Sequence, residues 1–98
     1  MTPKRYLCSQ LVALRCGGPP LTVNLEEIWE SGAILESDHE IQHCALAELR
    51  CAGVSLYGRL TRAEKHDFGW RIEMEFSPLT PWSPERFRPD HLLDLTEL

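Results

Sequence analysis

Residues 70–76 read Trp-Arg-Ile-Glu-Met-Glu-Phe, with apolar and charged side chains in strict alternation. A period of two fits only an extended strand, because successive side chains there point to opposite faces. One face of this segment is apolar and the other charged, so it must cover a core on one side and meet water on the other. Leu21, Val23 and Leu25 alternate in the same way with Thr22, Asn24 and Glu26. Short strands of this type, spaced by Gly-rich turns, predict an antiparallel barrel or sandwich.

The remaining segments fill out a barrel. Residues 7–16 carry Leu11, Val12, Ala13 and Leu14 and predict a mostly buried strand. The Gly-Gly-Pro-Pro run at 17–20 ends it. The second strand runs from Leu21 to about Trp29. A tight turn at residues 30–32 leads to a third strand at 33–35, with Gly32 read as the turn residue tolerant of positive φ. Residues 44–50 favour helix by propensity; their strand-like neighbours place them as a strand. Another strand starts at Gly53, carries Val54, Leu56 and Leu60 inward, and continues through Arg62. Residues 65–69 form the turn into the alternating segment. Pro78, Pro81, Pro84 and Pro89 then punctuate a tail. Ser83 and Pro84 are an N-cap and first-turn pair, and predict a short helix over 84–87. Asp90 is placed to cap a further turn, with Leu92, Leu93 and Leu95 packing the tail onto the barrel.

A chain of 98 residues suits one domain, here 1–98, with the barrel over about 5–76 and the tail over about 83–95. The longest apolar run is far too short to span a bilayer, and no signal-peptide pattern precedes it. The expected location is the cytoplasm, without membrane insertion. Cys8, Cys16, Cys44 and Cys51 form no Cys-x-x-Cys pair and are expected reduced and mostly buried. The net charge of −5 argues against DNA or RNA as partner. No Lys or Arg occurs between Arg15 and Arg50, whereas that interval holds Glu26, Glu27, Glu30, Glu36, Asp38, Glu40 and Glu48. This is either a solvated acidic face or a patch that attracts a basic partner and repels an anionic nucleotide. Arg59, Arg62 and Lys65 form a basic stretch, read as a charged sheet edge or as a contact site.

Residues 27–36, Glu-Ile-Trp-Glu-Ser-Gly-Ala-Ile-Leu-Glu, carry a more specific signal. They resemble the second signature of the PilZ domain, a bacterial module that reads cyclic di-GMP. That signature is Asp or Asn, any residue, Ser, any two, Gly; its slots here hold Glu27, Trp29 and Gly32. The order of parts matches from about Arg5 to Phe76. The resemblance implies a six-stranded antiparallel PilZ-like barrel and a nucleotide site formed with an N-terminal motif, Arg, any three, Arg. Arg5 fills the first slot and Ser9 the second; shifting by one gives Lys4 and Cys8. The implied nucleotide-binding set is therefore Lys4, Arg5, Ser9, Glu27, Trp29 and Gly32, in degenerate form.

Arginine forks suit phosphate and guanine acceptors. Losing one costs roughly 1.5–3 kcal/mol, and losing the polar contacts of the second motif adds a similar amount. The sum weakens binding by about 100- to 10,000-fold. The resemblance thus implies a small bacterial signalling module with weakened or lost cyclic di-GMP binding, acting as an adaptor on a protein partner. The alternative is a working cyclic di-GMP receptor, with Arg5 on phosphate, Glu27 on guanine and Trp29 stacking. No enzymatic signature is visible. A third class, a metal site from His39, His43 and Cys44, lacks the usual zinc spacings.

Overall fold

The computed structural model describes residues 4–41 and 44–95. The chain is mainly β. Its strands are β1 (Arg5–Arg15), β2 (Leu21–Trp29), β3 (Gly32–Ser37), β4 (Ala47–Cys51), β5 (Val54–His66), β6 (Gly69–Phe76) and the two-residue β7 (Leu93–Asp94). The first six pair antiparallel in the order β2-β3-β6-β5-β4-β1, and β1 pairs back onto β2. The result is a closed six-stranded antiparallel β-barrel, as the alternating segments predict, with β7 laid against the start of β1.

Closure requires strands that serve two neighbours. β1 pairs with β2 along most of its length and with β4 only at Ala13, Leu14 and Arg15. β5 pairs with β4 through Val54–Gly58 and with β6 from Gly58 onward. Register shifts interrupt β1 after Leu7, β2 after Leu25 and β5 after Leu60. Such bulges raise local twist and bend a strand, which is what a narrow ring needs.

The inward positions follow the alternation. Ile72, Met74 and Phe76 of β6 are buried, with Val23, Leu25 and Ile28 of β2, Ala33 and Leu35 of β3, and Leu56 and Leu60 of β5. β4 is a strand despite its helical propensity: Ala47, Leu49 and Cys51 face inward and tertiary pairing overrides the local preference. Leu46 falls outside it and is 78% exposed. β1 is less buried than expected. Only Val12 and Leu14 enter the core, because Leu11 lies on the outer face.

Among the described residues, 84–87 do not form the expected short helix. Residues 84–86 make a single turn, in which the amides of Arg86 and Phe87 both donate to the Ser83 carbonyl. A second turn at 90–91, with His91 at φ 60°, directs the chain into β7. The tail still packs onto the barrel, but its aromatics carry the contact more than Leu92, Leu93 and Leu95, which were expected to do so. Trp82 and Phe87 are buried, the Trp82 indole N–H donates to the Phe87 carbonyl at 2.9 Å, and Tyr6 meets Trp82 edge-on at 5.3 Å. Leu92 is partly buried against the core, whereas Leu93 points outward. The Trp82 amide also donates to the Glu30 carbonyl at 2.9 Å, tying the tail to the β2–β3 turn.

Gly58 marks where β5 changes neighbours. A Cβ there would lie 2.0 Å from the Glu75 carbonyl oxygen and 2.9 Å from the Phe76 Cα, so only glycine permits this backbone approach. Gly58→Ala is expected to destabilise the fold by about 3 kcal/mol or to prevent soluble expression. Gly18→Ala, with open space around the added methyl, is expected to be near neutral. Urea unfolding of the two variants measures the contrast.

Candidate functional site

The site is built where β1, β2 and β3 run side by side on the outer face. Arg5 is opposite Trp29 across the β1–β2 ladder, and Trp29 is opposite Gly32 across the β2–β3 ladder. Three of the six candidate residues therefore form one row, and Glu27, two residues before Trp29, stands beside it. This juxtaposition follows from register alone, since outward positions of adjacent strands share a face.

Gly32 is a glycine for a different reason from the one its sequence context implies. Its φ does not lie in the left-handed region. A Cβ at this position would approach the Met74 carbonyl oxygen at 2.5 Å and the Trp29 ring at 2.8 Å. The missing side chain lets the indole lie flat over β3. Trp29 is only 7% exposed although it is on the outer face. The space a small hydroxyl residue would leave open is thus filled by protein.

Arg5 completes the cover. Its guanidinium carbon is 4.1 Å from the Trp29 ring centroid, a cation–π stack. Its Nη1 donates to Glu27 Oε1 at 3.1 Å. The second Glu27 oxygen is 4.0 Å from Nη2 of Arg71 on β6. The Glu27 side chain, 13% exposed, thereby joins two arginines from different strands. Anion-binding capacity that the sequence assigns to Arg5 is taken up internally, by one carboxylate and one aromatic face.

The other two candidates sit elsewhere. Lys4 pairs with Asp94 of β7 at 3.4 Å and lines a separate hollow with Tyr6 and Arg88. Ser9 lies further along β1, its Oγ donating to Asn24 Oδ1 at 3.5 Å. Neither lines the cleft that Arg5 and Trp29 border.

That cleft, about 610 Å³, opens beside Trp29. It is walled by the Glu30–Ser31 turn, by Thr61 of β5, by Glu73 and Glu75 of β6, and by Pro78 and Pro81 of the tail. Arg71, Glu73 and Glu75 were legible as the charged face of the alternating segment. What the sequence does not announce is that β6 lies beside β3, with β4 and β5 between them in the chain, which brings them to the site.

Next to Glu27, Glu26 is the extra residue of the β2 bulge. Its carboxyl is pushed up to about 7, first by burial, then by a hydrogen bond with Glu36 and the charge of that residue; Arg71 and Asn24 oppose the shift. Glu26 therefore holds its proton closer to neutrality than an ordinary carboxyl does. Burial pushes the thiols of Cys8, Cys16 and Cys51 up to about 12, so these three are poor nucleophiles. All four cysteines are free, but only Cys51 is fully buried. His39 donates its amide to Ser37 Oγ, and His43 lies outside the described residues. Among the described residues no group of three metal-ligating side chains converges, and no helix is long and apolar enough to cross a membrane.

No protein-family model matches the chain, and no curated protein matches it.

The Glu26 shift sets a pH dependence. A folded-state pKa above the ordinary carboxylate value means the folded chain keeps a proton that the unfolded chain has released. Stability from Glu26 is full at acid pH below about 4.5 and is lost as pH rises through about 7. Because the group is partly solvated, the discounted effect is about 1 kcal/mol, or roughly 4–8 °C in Tm. Glu26→Gln is expected to raise Tm at pH 8 and to flatten the fall between pH 5 and 8, as followed by thermal melts across that range.

Proposed function

We propose that the chain is a PilZ-like signalling module whose nucleotide site has been closed from within, and that it works as an adaptor through protein contact. The observation that carries this reading is the Arg5–Trp29–Glu27 arrangement. Arg5 is stacked on one aromatic ring and paired with one carboxylate. A cyclic dinucleotide would need the same guanidinium for phosphate or guanine and the same space for a base. To bind, it must break the Arg5–Glu27 pair, move Trp29 off Gly32, and bring two phosphates beside Glu27. Each step opposes affinity, and none is offset by a second arginine, since the slot four residues after Arg5 holds Ser9.

The barrel supports the reading in a second way. The closed ring of six antiparallel strands, the hairpin at residues 27–36 and the final alternating strand agree with the architecture the resemblance implies. The six-stranded ring alone hosts many functions, so the argument for this family rests on the motif residues placed on it.

Titration of the folded chain with cyclic di-GMP by calorimetry tests the reading. Heat is expected to be absent or to saturate only at millimolar nucleotide. Saturation at micromolar ligand that disappears in Arg5→Ala would replace it with a working receptor.

A gain-of-binding variant tests the family assignment from the other side. Ser9→Arg, Glu27→Asp and Trp29→Ser together restore both signatures. If the site is a closed PilZ site, the triple variant is expected to bind cyclic di-GMP about 100- to 10,000-fold more tightly than the natural chain. A variant that folds by circular dichroism yet gains nothing argues for an unrelated barrel.

A further inference from the structure

The cleft beside Trp29 is larger than anything its one cation requires. At about 610 Å³ it is within the range of ligand and peptide pockets, about 300–1,000 Å³. Its accessible apolar surface comes chiefly from Pro78 and Pro81, since Trp29 and Phe76 at its back are buried. Its charged lining is Arg5 against Glu30, Glu73 and Glu75, one positive and three negative, a net of −2. Arg5 is already neutralised by Glu27 from outside the cleft. Glu75 shares Arg59 at 3.4 Å in an exposed pair, which is screened and weak. Glu30 and Glu73 take part in no ion pair among the described residues.

Proline surface and acidic side chains together select an occupant. A nucleotide phosphate would meet three carboxylates and one spent arginine. An arginine or lysine side chain would meet uncompensated negative charge, while an adjacent aliphatic side chain would cover the proline surface. Resting on the adaptor reading above, we infer that this cleft receives an extended segment of a partner protein in which basic and apolar side chains alternate. The cations lie toward Glu30, Glu73 and Glu75, and the apolar groups lie on Pro78 and Pro81. Complementary charge of this kind speeds encounter and fixes register.

The experiment uses a fluorescein-labelled peptide of alternating arginine and leucine, with a glutamate–leucine peptide of equal length as control. Each is titrated into the full chain by anisotropy, and amide and indole resonances locate the contact. The arginine peptide is expected to saturate, weaken with added salt, and shift the signals of Thr61, Phe76 and the Trp29 indole. Glu73→Lys is expected to cut its affinity about tenfold, equivalent to ~1.4 kcal/mol, and Glu73→Gln to act in the same direction by less. Glu85→Lys makes the same change of net charge on the exposed tail and should have little effect. Equal loss in Glu73→Lys and Glu85→Lys, equal binding of the acidic peptide, or shifts confined to other faces would overturn the inference. A parallel titration with cyclic di-GMP separates two failures. Silence from peptide and nucleotide alike removes the inference and leaves the adaptor reading, whereas tight nucleotide binding at Arg5 and Trp29 removes both.

Discussion

The ring depends on backbone contact at two points where a side chain would intervene. At Gly58, β5 leaves β4 and takes up β6, with the Glu75 carbonyl pressed against the glycine α-carbon. At Gly32, β3 lies so close to Met74 and Trp29 that the same is true. A ring of only six strands encloses a narrow interior, filled mainly by buried aliphatic side chains. Bulges turn the strands and the two glycines let them meet. The outer face of β3 is consequently low, and that depression is where the indole lies and the cleft begins.

On this surface, charge is arranged to satisfy itself. Glu27 reaches arginines on both sides, Arg5 from β1 and Arg71 from β6. Glu26, its carboxyl pushed up to about 7 by burial and by Glu36, stands one step away. The acidic interval in the sequence is thus partly compensated by basic residues distant in the chain but adjacent in the sheet. Compensation fails in the cleft, where Glu30 and Glu73 stand without a cation among the described residues. The contrast between a neutralised row and an unneutralised hollow is the main electrostatic feature of the molecule.

Much of the fold was legible because period two is a strong signal. The alternations at 21–25 and 70–76 placed two strands and their inward residues, and strand-like neighbours decided β4 against its own propensity. The tail misled because Ser83 and Pro84 begin a helix well, but Pro89 and the pull of Trp82 and Phe87 into the core stop it after one turn. Gly32 was identified for turn flexibility, whereas the structure requires it for close approach, a long-range fact that local sequence does not carry. The site was half legible. Arg5, Glu27, Trp29 and Gly32 do meet, since a hairpin and one further register suffice. Arg71, Glu73 and Thr61 join them only through the β3–β6 and β5–β6 pairings, which follow from closure of the ring and not from any short motif.

The tail tie from the Trp82 amide to the Glu30 carbonyl bears on the order of assembly. The cleft draws on residues 5, 29–31, 61, 73–78 and 81, nearly the full span of the barrel and beyond. During synthesis its first wall emerges long before its last, and a chain halted after β5 presents Arg5 and Trp29 with nothing opposite them. Contacts of such wide sequence separation form late in folding. A partner that recognises this hollow would therefore engage only a chain whose barrel has closed and whose tail has docked, and would pass over nascent or partly folded copies.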